Sequence, residues 1–100
     1  MSEKFTDLEI AVLNKIQNST KLIPITSKQL CFEFNITFRQ LKQVITSLRE
    51  FYPIVSKETG GGGYWIAEDD LDIINFVSMI EARKRGYEET INKMTKYIKG

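Results

Sequence analysis

The strongest constraint in this sequence is a pair of short helical patterns separated by only three residues. Apolar residues recur at helical spacing on both sides of the break: Leu30, Cys31 and Phe34 before it, and Leu41, Val44, Ile45 and Leu48 after it. The break reads Asn35-Ile36-Thr37. Asparagine tolerates the left-handed backbone of a tight turn, and threonine is a good N-cap. We therefore predict two helices that meet at a sharp turn. The helix after the turn should run from Phe38 to about Phe51.

Two helices joined steeply by such a turn form the helix-turn-helix unit, whose second helix enters the major groove of DNA. The stretch from Lys28 to Leu48 resembles this motif: Cys31 is the small residue where the helices touch, and Ile36 is the apolar plug of the turn. Asn35 stands where glycine is commonest, which costs little because asparagine also adopts left-handed backbone. The same spacing also occurs in helix pairs that serve only as packing elements.

The flanking patterns add a helix before this unit and a hairpin after it. Thr6 and Glu9 form a capping-box pattern, which predicts a first helix from about Asp7 to Gln17. The second helix should begin at Thr26 or Ser27, after an extended Ile23-Pro24-Ile25 connector. Downstream of Pro53, two short β-rich runs, Ile54-Val55 and Tyr64-Trp65-Ile66, flank a flexible glycine turn at Gly60 to Gly63. They predict a β-hairpin in which Trp65 covers the core.

The C-terminal third predicts one long helix capped by Asp69 or Asp70. Its stripe alternates steps of four and three through Ile73, Val77, Ile80, Lys84, Tyr87, Ile91, Met94 and Ile98. From Leu71 to Lys99 such a helix would span roughly 40 Å at about 1.5 Å per residue, which exceeds what a domain of this size covers. We therefore expect its far end to pair with a second subunit. The expected homodimer seam consists of Tyr87, Ile91, Met94 and Ile98.

The predicted fold class is mainly α with a small β-hairpin: a winged helix-turn-helix domain over residues 1–69 and a long C-terminal helix over residues 70–100. The hairpin stretch, from Pro53-Ile54-Val55-Ser56 to Gly63-Tyr64-Trp65-Ile66-Ala67-Glu68, resembles that of small winged-helix proteins of bacteriophages and prophages of Gram-positive bacteria. It is also similar to the wing of the biotin-repressor DNA-binding domain. The resemblance implies sequence-specific binding of double-stranded DNA, by a phage transcriptional regulator or a replication-associated protein.

The basic residues are concentrated in the same region. Residues 20–66 hold six bases and three acids, whereas the chain as a whole has a net charge of only +1. No acid interrupts the third helix between Ile36 and Arg49, although a solvated face would show the same pattern. Phe38 either contacts a thymine methyl or folds back onto the second helix. The predicted DNA-binding residues are Lys28, Thr37, Phe38, Arg39, Gln40, Lys42, Gln43, Thr46 and Lys57.

The four consecutive glycines do not form a nucleotide-binding loop, because the lysine and the following helix of that loop are missing. We interpret them as a wing tip beside Lys57, able to lie against a phosphate or the minor groove.

Several function classes are disfavoured by composition. The sequence has no histidine, and Cys31 is its single cysteine, so a disulfide within the chain is excluded and a metal site or an activated nucleophile is unexpected. The acids Glu68, Asp69, Asp70 and Asp72 read as capping residues of a helix start. We therefore expect no enzyme activity and no cofactor. Without a membrane span or a secretory signal, the expected location is the cytoplasm of a bacterium or of a phage-infected host cell.

A second hypothesis belongs to a different class. The excess of only three bases in the middle of the chain also suits a protein-interaction module, such as a phage inhibitor or adaptor that acts on a host protein. A strong salt dependence of DNA binding would separate the two hypotheses.

Overall fold

The computed structural model describes residues 5–57, 62–83 and 88–99. The described chain is mainly helical with one two-stranded antiparallel sheet, as the coarse fold class predicted. The elements in chain order are α1 (Asp7–Gln17), α2 (Ser27–Phe34), α3 (Phe38–Leu48), β1 (Ile54–Lys57), β2 (Gly63–Ile66), α4 (Asp70–Arg83) and α5 (Glu88–Thr95). None of the helices in these ranges combines the length and the apolar character needed to cross a membrane.

Each of the first three helices begins with a complete capping box. A threonine hydroxyl accepts a hydrogen bond from the backbone N–H three residues later, and the side chain of that later residue accepts one from the threonine N–H. Two otherwise unpaired donors are satisfied at every start, which explains why the helix starts were predictable from local sequence. The pairs are Thr6 with Glu9, Thr26 with Gln29, and Thr37 with Gln40.

The turn between α2 and α3 has the predicted geometry. Asn35 adopts left-handed backbone with φ 52° and ψ 50°, and it is the only residue other than glycine with positive φ in the described part of the chain. The α3 helix ends at Leu48, so the predicted end near Phe51 was wrong. The N–H groups of Glu50 and Phe51 bond to carbonyls three residues back, which tightens the chain into a turn before Pro53.

The hairpin pairs Ile54 with Ile66 and Lys57 with Gly63. Ile25, in the connector before α2, adds an isolated antiparallel bridge: its N–H donates to the carbonyl of Tyr64 at 3.2 Å and its carbonyl accepts from the N–H of Tyr64 at 2.8 Å. Gly63 belongs to β2 and is buried, so it is not part of a free tip. A Cβ at Gly63 would lie 2.6 Å from the Cβ of Pro24, so only glycine fits this approach.

The two faces of the hairpin belong to two different cores. Ile54 packs with α1, α2 and α3 in a first core, whereas Val55 packs with Trp65 and the C-terminal helices in a second core. Successive side chains of a strand point to opposite faces, which places both residues in apolar surroundings and leaves both fully buried. Trp65 covers the second core, as predicted, and the partly buried thiol of Cys31 packs against the first.

The prediction of one long C-terminal helix was wrong. The segment forms two helices, and α5 runs back along α4, so that the N–H of Lys99 donates to Asp70 Oδ2 at 3.2 Å. The expected subunit seam therefore has an intramolecular partner: Met94 is 0% exposed, and Ile91 and Ile98 pack around the same core. Tyr87, the remaining seam residue, lies outside the described residues, as do Lys84 and Gly86.

Candidate nucleic-acid interface

The polar side of α3 is exposed along its length. Arg39, Lys42, Gln43 and Thr46 are exposed to solvent, and the opposite side of the helix carries the buried residues of the first core: Leu41, Val44, Ile45 and Leu48. This division agrees with the predicted amphipathic pattern. The exposed side offers guanidinium, ammonium, amide and hydroxyl groups, the donors that hydrogen-bond base edges and phosphates.

Two of the predicted contact residues are engaged in capping. Gln40 Oε1 accepts from the N–H of Thr37 at 2.8 Å, and Thr37 Oγ1 accepts from the N–H of Gln40 at 3.1 Å. Their oxygens hold the start of α3, although both residues are exposed. The capping role of Thr37 was predicted; that of Gln40 was missed, although a glutamine three residues after a threonine is a recognisable signal.

Phe38 does not fold back into the core. Its side chain is 54% exposed, and the ammonium of Lys42 lies 5.4 Å from the centre of its ring. A cation over an aromatic face is attracted to it, so this contact holds the lysine beside the start of α3. Lys28 is also exposed, in the first turn of α2.

A cavity of about 390 Å³ joins α3 to the hairpin and to the C-terminal helices. Of the residues predicted to contact DNA, the cavity is lined by Phe38, Lys42, Thr46 and Lys57. Lys28, Thr37, Arg39, Gln40 and Gln43 do not line it. The structure thus brings Lys57 of the hairpin to the same cavity as part of the exposed face of α3.

Arg49 lines this cavity and was not predicted from the sequence. Its Nε donates to the carbonyl of Ile54 at 2.8 Å, and its guanidinium lies 4.9 Å from the centre of the Phe76 ring. Burial lowers the pKa of Arg49 to about 10, a change that the nearby Tyr64 partly opposes. The side chain therefore remains a cation at neutral pH. No local signal marks it, because its surroundings depend on where α4 packs.

The C-terminal segment holds the end of α3 through bonds to backbone carbonyls. Lys93 Nζ donates to the carbonyl of Thr46 at 3.3 Å, Lys96 Nζ to that of Glu50 at 2.7 Å, and the hydroxyl of Tyr97 to that of Arg49 at 3.0 Å. Carbonyls near a helix end lack partners within the helix, so these donors satisfy them. The Glu50 carboxylate also pairs with Lys93 at 2.9 Å, and this contact, supported by Lys96, lowers the pKa of Glu50.

The acids at the start of α4 include the predicted cap and one buried carboxylate. Asp69 accepts from the N–H of Asp72 at 3.0 Å, as a helix N-cap does. Asp72 is buried and accepts from the N–H of Glu68 at 2.9 Å and from Trp65 Nε1 at 3.3 Å, and its other oxygen lies 3.0 Å from Lys21 Nζ. Burial by itself would raise the pKa of Asp72, but these bonds outweigh it and lower the pKa.

The three most exposed large apolar side chains of the described residues lie outside the cavity. Leu22 is 91% exposed and Ile23 is 77% exposed, both in the turn after α1, and Phe32 on α2 is 90% exposed. None of them was predicted to be functional, and single apolar residues on a surface are common.

Comparisons of the chain with protein-family models, with curated proteins and with solved structures found no match.

Proposed function

We propose that this chain is a winged-helix protein that binds duplex DNA, with α3 in the major groove and the hairpin as the wing. The observation that carries the proposal is the exposed face of α3, where Arg39, Lys42 and Gln43 stand free of any carboxylate partner among the described residues. A docked recognition helix needs such donors at its first exposed turns.

The order of the elements supports the same proposal. A helix pair joined by a left-handed Asn35 is followed directly by an antiparallel hairpin, and the Ile25 bridge to Tyr64 ties the hairpin to the start of α2. Lys57 is exposed at the end of β1, and in the proposed complex it contacts a DNA phosphate beside the major groove that α3 enters. The resemblance to phage winged-helix proteins adds transcription or replication as the setting of this binding.

Fluorescence anisotropy with a labelled random-sequence duplex, measured at several salt concentrations, tests the proposal. Binding through lysine and arginine must weaken steeply with salt, because counterions compete for the phosphates. Lys42→Ala and Lys57→Ala should each reduce the salt slope by about one unit. The control is Lys99→Ala, which removes an exposed lysine outside α3 and the hairpin. Undetectable binding, or binding that does not change with salt, would contradict the proposal.

Sequence readout requires a separate measurement. Once a preferred duplex has been selected from the random pool, Arg39→Ala should weaken its binding by about 1–3 kcal/mol relative to random DNA. An equal loss for both duplexes would mean that Arg39 contacts phosphate and reads no base.

A second candidate, a protein-interaction module, is favoured by the exposure of Leu22, Ile23 and Phe32. Apolar side chains of this size are typical anchors of protein interfaces. The salt series separates the candidates, because a module of this kind has no reason to bind random DNA.

A further inference from the structure

The cavity between α3, the hairpin and the α4–α5 pair has the composition of an anion site. Within the described residues its wall holds the cationic side chains of Lys42, Arg49 and Lys57 and no carboxylate. Lys93 also lines it, but its charge is already paired with Glu50 at 2.9 Å. Its volume of about 390 Å³ is in the range of small-molecule sites. Both features point to a ligand that is small and negatively charged.

Arg49 gives this site a fixed centre. Its Nε is held by the carbonyl of Ile54, and no ion pair joins its guanidinium to a carboxylate of the described residues. No acceptor in the described part of the chain takes its terminal N–H groups. A partly buried guanidinium without a counter-ion is unfavourable, and the planar fork of arginine matches the oxygens of a phosphate.

The remaining wall indicates an organic phosphate. Ser27, Thr46 and Ser56 also line the cavity, and the Ser27 hydroxyl donates to the Tyr64 hydroxyl at 3.3 Å. Thr46 and Ser56 carry hydroxyls that can donate to additional phosphate oxygens. Phe76 and Met79 supply an apolar wall on the α4 side, which a bare inorganic ion would leave uncovered.

We propose that this cavity binds a small phosphorylated organic molecule, with its phosphate on Arg49 and its organic part against Phe76 and Met79. Because Lys42, Thr46 and Lys57 line both the cavity and the proposed DNA surface, the bound molecule excludes DNA, a consequence that depends on the function proposed above. The alternative source of the same chemistry is a phosphate of the DNA backbone.

Isothermal titration with adenosine monophosphate, ribose 5-phosphate, inorganic phosphate and adenosine tests the site. We expect at least one organic phosphate to bind with a Kd of about 1 mM or tighter, and adenosine not to bind. Arg49→Gln should weaken this binding at least about tenfold, whereas Arg39→Gln, which removes the same charge from α3 outside the cavity, should not change it. Thr46→Glu adds a carboxylate to the wall and leaves the bond from Arg49 Nε to Ile54 unchanged. It should weaken binding of the organic phosphate at least as much as Arg49→Gln does. Thermal melts establish that each variant folds.

The outcomes distinguish the sources. Binding of an organic phosphate that depends on Arg49 supports the site even if no DNA binding is found, in which case only the proposed function fails. Displacement of labelled duplex by the same molecule supports the exclusion of DNA. Absence of binding by every phosphate probe up to about 10 mM overturns the proposal. The proposal is also overturned if Arg49→Gln weakens only DNA binding, or if wild type, Arg49→Gln and Thr46→Glu bind the organic phosphate equally.

Discussion

Substitution of Met94 by alanine should destabilise the protein strongly, because this side chain joins α5 to the rest of the fold. Met94 is 0% exposed and packs in the second core with Val55, Trp65 and Ile80. Replacing a buried methionine by alanine removes apolar burial and leaves a cavity, which costs about 2–5 kcal/mol. In a domain of this size each kcal/mol lowers the Tm by roughly 4–8 °C, so the expected decrease is about 8–40 °C.

Urea unfolding and thermal melts followed by circular dichroism measure the effect. The control is Asn92→Ala on the exposed side of α5, which should change the free energy of unfolding by no more than about 0.5 kcal/mol. Both proteins are melted at two concentrations, because a seam between subunits would make the Tm rise with concentration. A Met94→Ala protein as stable as Asn92→Ala, or a wild-type Tm that depends on concentration, would refute intramolecular packing.

Three further predictions concern the hairpin, the buried carboxylate and the turn. Gly63→Ala should lower the free energy of unfolding by about 1–3 kcal/mol, since φ is 143° and the new Cβ would meet Pro24 at 2.6 Å; equal urea midpoints for variant and wild type would show that β2 does not approach Pro24. Asp72 has a lowered folded pKa, so its stabilisation is complete above the unfolded value of 3.8 and is lost as the pH falls through the lower folded pKa. The stability difference between wild type and Asp72→Asn should therefore shrink below about pH 4, and a difference that stays constant from pH 6 to pH 2 would contradict the shift. Asn35→Ala should cost about 1–2 kcal/mol and Asn35→Gly much less, because alanine disfavours left-handed backbone; identical melting curves for the two variants would remove the turn assignment.

The N-terminal part of the fold was predictable because its signals are local. Threonine caps, apolar periodicity and Asn35 specify the starts of α1, α2 and α3 within a few residues of chain. The end of α3 was missed because the N–H groups of Glu50 and Phe51 bond to carbonyls three residues back, and side-chain patterns do not distinguish this turn from a last helical turn.

The C-terminal part required information that the pattern lacks. A stripe running from Ile73 to Ile98 at steps of four and three fits one long helix and also fits two helices that bury the same stripe in one core. Its second half was assigned to a partner subunit because no surface within the chain was foreseen. The same gap concealed part of the candidate site, since Lys93 lines the same cavity as Arg49 only after α5 has returned along α4.

The two-faced hairpin also has a consequence for synthesis of the chain. During translation α1, α2 and α3 emerge first and cover Ile54, but Val55 and Trp65 on the other face have no cover until α4 and α5 have left the ribosome. A nascent chain therefore displays an apolar strand face beside a finished three-helix core, the kind of surface that chaperones bind and that aggregates when left open. A chain that ends before Met94 would keep this face exposed permanently. We therefore expect the truncated chain to lose solubility while it keeps its helix content.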